Sequence, residues 1–439
     1  MRKLLWATAR VLVFTAVLAM LGLSALLFTA RAIVRPAPGD WATTLRVGPL
    51  TMDVGVATLV QWGSTPWIAK QLHGRTLPTR LGDVHLAWDE ATQQLSLHCQ
   101  PCTLRSSSWG GEPLRLQDVR MTVRRNATEL RGTLQSGAVT ATWHGTLRPT
   151  GVTLHIDVPT TPVADGYALF ANAIPEVATA QIDGTFALKA TLELPGKALT
   201  VQPRLEGMAV QGLGTEAWAQ AQSQCSQALP VAMANATPRT DSLLARAVLA
   251  AEDQRFYEHP GYDLVEMNKA LRSNQDEDAT LRGASTLSQQ VAKLLVTGGE
   301  RSPVRKLREL LYAVEMEQTL GKARILRLYL DHAPWGATVC GAQAAAHTYF
   351  GKRADQLSAA QAVWLAAMLH NPALEAQRWK ARGSINMERA QWVAAGLRPL
   401  PKRERAALLE ALPQLVWVQS NPKIPATPLR TSSASSGSM

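Results

Sequence analysis

A chain of 439 residues, 46% of them hydrophobic, is long enough for two or three domains with sizeable cores, which excludes global disorder. Its formal charge of +11 suits an anionic partner. The N-terminal segment argues against nucleic acid as that partner.

That segment comes first in the chain. Leu4 to Ala30 is apolar apart from Arg10, and Val11 to Ala30 carries no charge, a run long enough to cross a bilayer as one helix. Arg2, Lys3 and Arg10 precede it; Arg31 and Arg35 follow. With the terminal amine, the leading side is the more positive. The expectation is a cytoplasmic N-terminus and a retained single-pass anchor over residues 1–36, with an external body. A cleaved signal peptide competes, with Ala30-Arg31-Ala32 as a small-x-small site. Its apolar core would be unusually long and its arginine unfavourable.

Residues 37–225 read as a β-rich domain and linker. Val84, Leu86 and Trp88 alternate, as do Val139, Ala141 and Trp143, then Val152, Leu154, Ile156 and Val158. The longest such run spans Ile182 to Leu194. Period-two alternation predicts strands with one buried face, and nothing between 40 and 195 reads as helical. Gly132-Thr133-Leu134, Gly145-Thr146-Leu147 and Gly184-Thr185-Phe186 echo one another, as in a meander or a stacked β-array, though chance competes. The segment loosely resembles periplasmic β-rich domains of the AsmA type. The four cysteines fit an oxidising compartment. Cys99-Gln100-Pro101-Cys102 lacks the further ligands zinc needs, which leaves a local disulfide or two free thiols. Cys225 and Cys340 are the other candidate pair. From about 200 to 240 the chain reads as an irregular connection.

A mainly helical domain follows over 226–400, then a C-terminal segment, 401–439, with a disordered tail. Asp241 is placed to cap a helix through Leu244, Val248 and Leu249 toward Glu252. That helix sets the carboxylate of Glu252 beside an apolar face, where desolvation makes a stronger base. Ser358 and Gln361 form a capping box, and the helix they open should stop before Pro372. Two compact blocks carry the chemistry. The first, Glu252-Asp253-Gln254-Arg255-Phe256-Tyr257-Glu258-His259-Pro260-Gly261, offers acids and a histidine. The second, Gly283 to Lys293, offers hydroxyls and amides at Ser285, Thr286, Gln289 and Gln290 and a cation at Lys293. A third, Arg305-Lys306-Leu307-Arg308-Glu309, adds cations, with Arg305 and Glu309 on one helix face. A base, a row of donors and cations for an anionic leaving group suit transfer chemistry on a phosphate-linked substrate. A solvated basic face is the plain alternative for the third block.

These blocks resemble the family 51 glycosyltransferases, the peptidoglycan polymerases. E-D-x-x-F-x-x-H-x-G is met from Glu252 to Gly261. G-x-S-T-x-T-Q-Q-x-x-K-N is met from Gly283 to Lys293, with Ser288 for the threonine and Leu294 for the asparagine. R-K-x-x-E-x-x-x-A-x-x-x-E is met at Arg305, Lys306, Glu309, Ala313 and Glu317. K-x-x-I-L-x-x-Y-L-N is met from Lys322 to Leu330, with Asp331 for the asparagine. Ala344 to Lys352 resembles a further family string. Four motifs in one order are far more specific than any one.

The resemblance implies a lysozyme-like helical fold over roughly 235–400. It implies polymerisation of lipid II into glycan strands with inversion, Glu252 being the general base. Glu309 would be the second essential acid, orienting the leaving group or holding a divalent cation (Mg or Mn). Asp253, Phe256 and His259 would line the base. Ser285, Thr286, Gln289, Gln290, Lys293 and Arg305 would bind substrate. The implied partners are lipid II, the nascent strand, the bacterial inner membrane and a separate transpeptidase, the body lying in the periplasm; no cofactor is required. Ser420-x-x-Lys423 is too near the C-terminal end to found a transpeptidase domain. Two other readings stand beside this one. Leu294 and Asp331 motivate a lipid II- or glycan-binding envelope protein without turnover. The other is a lysozyme-like glycan-cleaving enzyme, against which the cationic blocks speak.

Overall fold

The computed structural model describes residues 36, 42–47, 50–79, 81–104, 114–148, 151–194, 198–220, 239–273, 283–298 and 302–415. They form two compact units, the first built mainly from residues up to 208 and the second mainly from 209 onward.

The first unit is β-rich. Its strands are β1 (Ala42–Val47), β2 (Leu50–Gly55), β3 (Thr76–Thr79), β4 (Gly82–Asp89), β5 (Gln94–Cys99), β6 (Cys102–Leu104), β7 (Leu114–Leu116), β8 (Val119–Asn126), β9 (Glu129–Ser136), β10 (Val139–Arg148), β11 (Gly151–Pro162), β12 (Gln181–Leu194) and β13 (Ala198–Gln211). Nine of them make one sheet in the order β13-β12-β11-β10-β9-β8-β5-β4-β3, a meander in chain order that skips β6 and β7, which pair with each other. The alternation seen in the sequence is the alternation of faces. On β10, Ala141, Trp143 and Leu147 are buried while Thr142, His144 and Thr146 are exposed.

The Gly-Thr echo falls on β9, β10 and β12. Trp143 sits opposite Gly132. A Cβ on Gly132 would lie 1.7 Å from the Thr122 carbonyl oxygen and 2.7 Å from the Trp143 ring nitrogen, so only glycine lets the indole lie across the strand. Cys99 and Cys102 are joined by a disulfide at the end of β5.

Two expectations for this region need correction. Residues 40–195 do contain helices: α1 (Val56–Gly63), α2 (Pro66–Gln71) and α3 (Val163–Ala168). Ala57 enters the core under β9–β12, with Val56 and Val60 packed beside it, and Ala69 enters the smaller core with Leu86 and Leu95. Apolar runs this short carry no period that separates helix from strand, so tertiary packing decides them. The span from 200 is also not irregular throughout, since β13 runs to Gln211 and a 3₁₀ turn covers Thr215–Gln220.

The second unit is helical: α4 (Leu243–Glu252), α5 (Leu264–Ser273), α6 (Leu287–Ala292), α7 (Pro303–Thr319), α8 (Gly321–His332), α9 (Ala342–Phe350), α10 (Ala359–Met368), α11 (Pro372–Arg382), α12 (Met387–Gly396) and α13 (Lys402–Ala411). One apolar core runs through it, with Trp335, Trp364, Trp379 and Tyr349 among its largest fully buried side chains. The Thr215–Gln220 turn docks on α7. The buried carboxylate of Glu315 accepts from the Leu213 amide at 2.7 Å and the Thr215 amide at 3.3 Å, and Trp218 stacks on Tyr312 at 5.7 Å.

The Ser358 capping box forms, and α10 ends at Met368, ahead of Pro372. The cap of α4 is Ser242, whose hydroxyl accepts from the Ala245 amide at 3.2 Å. Asp241 is instead paired with Arg239. The helical core also continues past 400, because Leu408 and Leu412 are buried in it.

No helix among the described residues is long and apolar enough to cross a membrane. The anchor expected over residues 1–36 falls almost wholly outside the described residues, as do Cys225 of the second candidate cysteine pair and the tail expected to be disordered.

Candidate active site

Helix α4 ends at Glu252 because Asp253 leaves helical backbone, with φ of −161° and ψ of 81°. Leu244, Ala247, Val248 and Ala251 are buried on α4, so the helix delivers Glu252 into the core's edge, where its side chain is 13% exposed. The Gln290 amide, on α6, donates to Glu252 Oε2 at 3.1 Å. Tyr329, on α8, donates through its hydroxyl to Gln290 Oε1 at 3.3 Å. Arg389, on α12, places Nη2 3.5 Å from Glu252 Oε1 and donates to the Ala251 carbonyl at 2.6 Å. Glu252 Oε1 is buried and accepts no hydrogen bond among the described residues. Burial pushes this carboxyl above the usual carboxylate range. The Gln290 hydrogen bond and the charge of Arg389 oppose that shift, and neighbouring Asp253 adds to it.

A second carboxylate is handled in the opposite way. Glu309, on α7, is fully buried, yet both its oxygens are ion-paired, Oε1 with Arg305 Nη1 and Oε2 with Lys306 Nζ at 2.5 Å. Lys306 also donates to Ser285 Oγ at 2.6 Å. Burial pulls the Lys306 ammonium below its usual range; Glu309 opposes this, and the charges of Arg305 and Lys293 add to it. Lys293 itself is exposed, at the C-terminal end of α6, where a five-residue π-helical turn, Lys293–Thr297, begins. Three cations therefore gather at this pole around one buried acid. Both Glu309 oxygens are committed to cations, so this carboxylate is not free to ligate a divalent ion in this structure.

Between the two poles lies a clamp made from the first and second sequence blocks. Gly261 N–H donates to His259 Nδ1 at 3.2 Å, so the proton of the imidazole lies on Nε2, which donates to Asp253 at 2.9 Å. The other contact of Asp253 is the Leu287 amide, at 2.8 Å. Thr286 donates to the Gly261 carbonyl at 2.7 Å and caps α6 in a reciprocal box with Gln289. Phe256 is buried beneath, with the Lys322 ammonium 4.5 Å from its ring centre. Gly261 has a φ of +94°, and a Cβ there would lie 2.9 Å from the Ala313 carbonyl oxygen, so the close approach of this loop to α7 requires glycine.

The residues singled out in the sequence thus sort into groups. Glu252 meets Gln290; Glu309 meets Arg305, with Ser285 joined through Lys306; Lys293 lies nearby, facing solvent. Asp253, Phe256, His259, Thr286 and Gln289 are turned inward, and their described contacts hold α4, the loop after it and α6 in register.

Tyr329 and Arg389 escaped sequence reasoning as site residues. Tyr329 lies inside the fourth motif, which was the available signal. Arg389 has no local signal, because only the packing of α12 against α4 brings it to Glu252. Leu294 and Asp331 do not appear among the described hydrogen bonds of Glu252 or Glu309. Asp331 is raised by burial, against the charges of His332, Arg324 and Arg327.

Comparison with known proteins adds independent findings. Residues 224–397 match a family described as transglycosylase. The chain is 47% identical over 156 residues to a biosynthetic peptidoglycan transglycosylase of Chromohalobacter salexigens, covering 35% of this chain and 64% of that one. It is 45% identical over 149 residues to the protein of that name in Pseudomonas aeruginosa, covering 34% and 62%. To that of Salmonella paratyphi B it is 41% identical over 172 residues, covering 39% and 68%. The chain spans about three fifths of the length of the relatives it matches, from 56% to 68%.

Proposed function

The chain belongs to the transglycosylase family, and we propose that it is a peptidoglycan glycosyltransferase, anchored by residues 1–36 in the inner membrane with its body in the periplasm. In this reading it polymerises lipid II into glycan strands, with inversion at the anomeric carbon. Residues 37–225 would form a β-rich domain and linker, and the helical unit would carry catalysis on a lysozyme-like frame. A transpeptidase partner would be another chain.

The observation that carries the reading is the contrast of two buried carboxylates in one helical unit: Glu252 with an oxygen that accepts no hydrogen bond among the described residues, Glu309 with both oxygens paired to cations. In the proposed step, the Glu252 carboxylate takes the proton of the acceptor 4-hydroxyl. The acceptor oxygen bonds to the donor's anomeric carbon, and the bond from that carbon to the diphosphate oxygen breaks, the electron pair leaving with the diphosphate. Lys293, Arg305 and Lys306 would receive that charge, and Glu309 would keep two of them aimed. A proton acceptor held above the usual carboxylate range works closer to neutral pH than an ordinary glutamate. Asp253, His259, Thr286 and Gln289 would act by holding the walls.

Strand polymerisation from purified lipid II, by the wild type and by Glu252→Gln, tests this. Polymer from the wild type and none from the folded variant is the expected result. Binding of lipid II without polymer from the wild type would instead favour a non-catalytic envelope protein, and cleavage of finished glycan a lysozyme-like enzyme.

A further inference from the structure

We propose that Tyr329 is a positioning residue that acts through Gln290, holding the NH₂ end of that amide on the Glu252 carboxylate. The inference deepens the reading of Glu252 as the base and rests on it.

A primary amide is nearly symmetric in shape and opposite in chemistry at its two ends. Gln290 could face Glu252 with its NH₂ or with its carbonyl oxygen; the first stabilises a carboxylate and the second repels it. Nothing about Gln290 itself selects the first. Tyr329 does. Its ring is buried, and burial, with the nearby charge of Glu252, holds its hydroxyl well above the usual range, so it stays protonated at any working pH. It is therefore a permanent donor, and it donates to Gln290 Oε1 at 3.3 Å. With the carbonyl end held there, the NH₂ end donates to Glu252 Oε2 at 3.1 Å.

Oε2 is thereby capped, while Oε1 is buried, accepts no hydrogen bond among the described residues and has Arg389 Nη2 3.5 Å away. The charged and titratable groups around the base are then Arg389 from α12, Asp253 beside it in the chain, and Tyr329 from α8 behind Gln290. A relay of this kind fixes which end of the Gln290 amide faces the base, and so how firmly the base holds a proton.

The full-length protein in micelles would be labelled with ¹³C at the glutamate side-chain carboxyl. The Glu252 signal is assigned by its loss in Glu252→Gln and titrated in wild type, Tyr329→Phe, Gln290→Ala and the double variant. Tyr329→Phe keeps the buried ring and removes only the hydroxyl. The expected result is that Glu252 titrates higher in Tyr329→Phe by roughly half to one pH unit, the size of one lost hydrogen bond. Gln290→Ala should move it in the same direction, and the double variant should go no further than Gln290→Ala alone.

The acid limb of polymerisation should move with the titration, with about a three- to tenfold loss of kcat/KM on that limb in Tyr329→Phe. An unmoved Glu252 titration in Tyr329→Phe would overturn the inference, and so would additive shifts in the double variant. The titration needs no turnover. A wild type that shows these shifts yet makes no polymer would sink the proposed function and leave the relay standing.

Discussion

The two poles of the site hold the same side chain in opposite states. Glu309 is the more deeply buried, yet two cations satisfy it, and no proton acceptor is left there. Glu252 keeps a little exposure, accepts a hydrogen bond on one oxygen only among the described residues, with Arg389 3.5 Å from the other, and is pushed toward protonation. Burial alone therefore does not make a base. Burial without full compensation is what the proposed base has, and the supply of partners is what separates the two carboxylates.

Substitutions at each pole should break that comparison in different observables. The largest effect is expected for Glu252→Gln, which keeps size and hydrogen bonding and removes the basic site. Polymerisation should fall on the order of 10²–10⁴-fold while the fold persists. Near-normal turnover would end the assignment of Glu252 as the base.

Glu309→Gln should act on stability first. Removing the fully buried carboxylate breaks its ion pairs with Arg305 and Lys306, at a cost of about 3–5 kcal/mol. Denaturant unfolding reads this, and a change below about 1 kcal/mol would show that the pair is not what holds this pole. Arg305→Ala and Lys293→Ala should weaken lipid II binding, each by the loss of a charge-assisted contact of about 1.5–3 kcal/mol. Unchanged binding by both would return the third block to a solvated basic face.

A subtler test uses the sign of linkage. The folded-state pKa of Glu252 is raised, so the group favours the fold only at pH values where it is protonated. That contribution is fully present below the unfolded value and is lost as pH rises through the folded value. Glu252→Gln should therefore melt above the wild type at neutral and higher pH. The gap should close as pH falls toward about 4, where the unfolded carboxyl also protonates. A gap that widens on acidification would mean that the carboxylate is stabilised in the fold, and the contrast with Glu309 would collapse. The smallest effect belongs to the clamp. Thr286→Ala removes the α6 cap and the bond to Gly261, at about 0.5–2 kcal/mol, readable by thermal melting.

Much of this was legible without a structure. Period-two alternation located β4, β10, β11 and β12 because a half-buried sheet face must alternate. The capping box at Ser358 announced its helix because its two hydrogen bonds are local. The blocks from Glu252, Gly283 and Arg305 held nearly all the polar groups of the site. Features that escaped depend on distant packing. The helices at Val56–Gly63 and Pro66–Gln71 are too short to show a period, β13 carries no clean alternation, and Ser242 rather than Asp241 caps α4 because the backbone turns one residue later.

The sequence by itself determined the inventory: two carboxylates, their neighbouring amides and cations, and the strand and helix frames that carry them, since residue type and local spacing are enough for those. Only the tertiary structure decided what each group does. Residues far apart along the chain, Tyr329 and Arg389, reach Glu252 from two other helices, while Lys306 and Arg305 close on Glu309 from its own. Proton affinity depends on what surrounds an atom in space, and that surrounding exists only once the helices have packed.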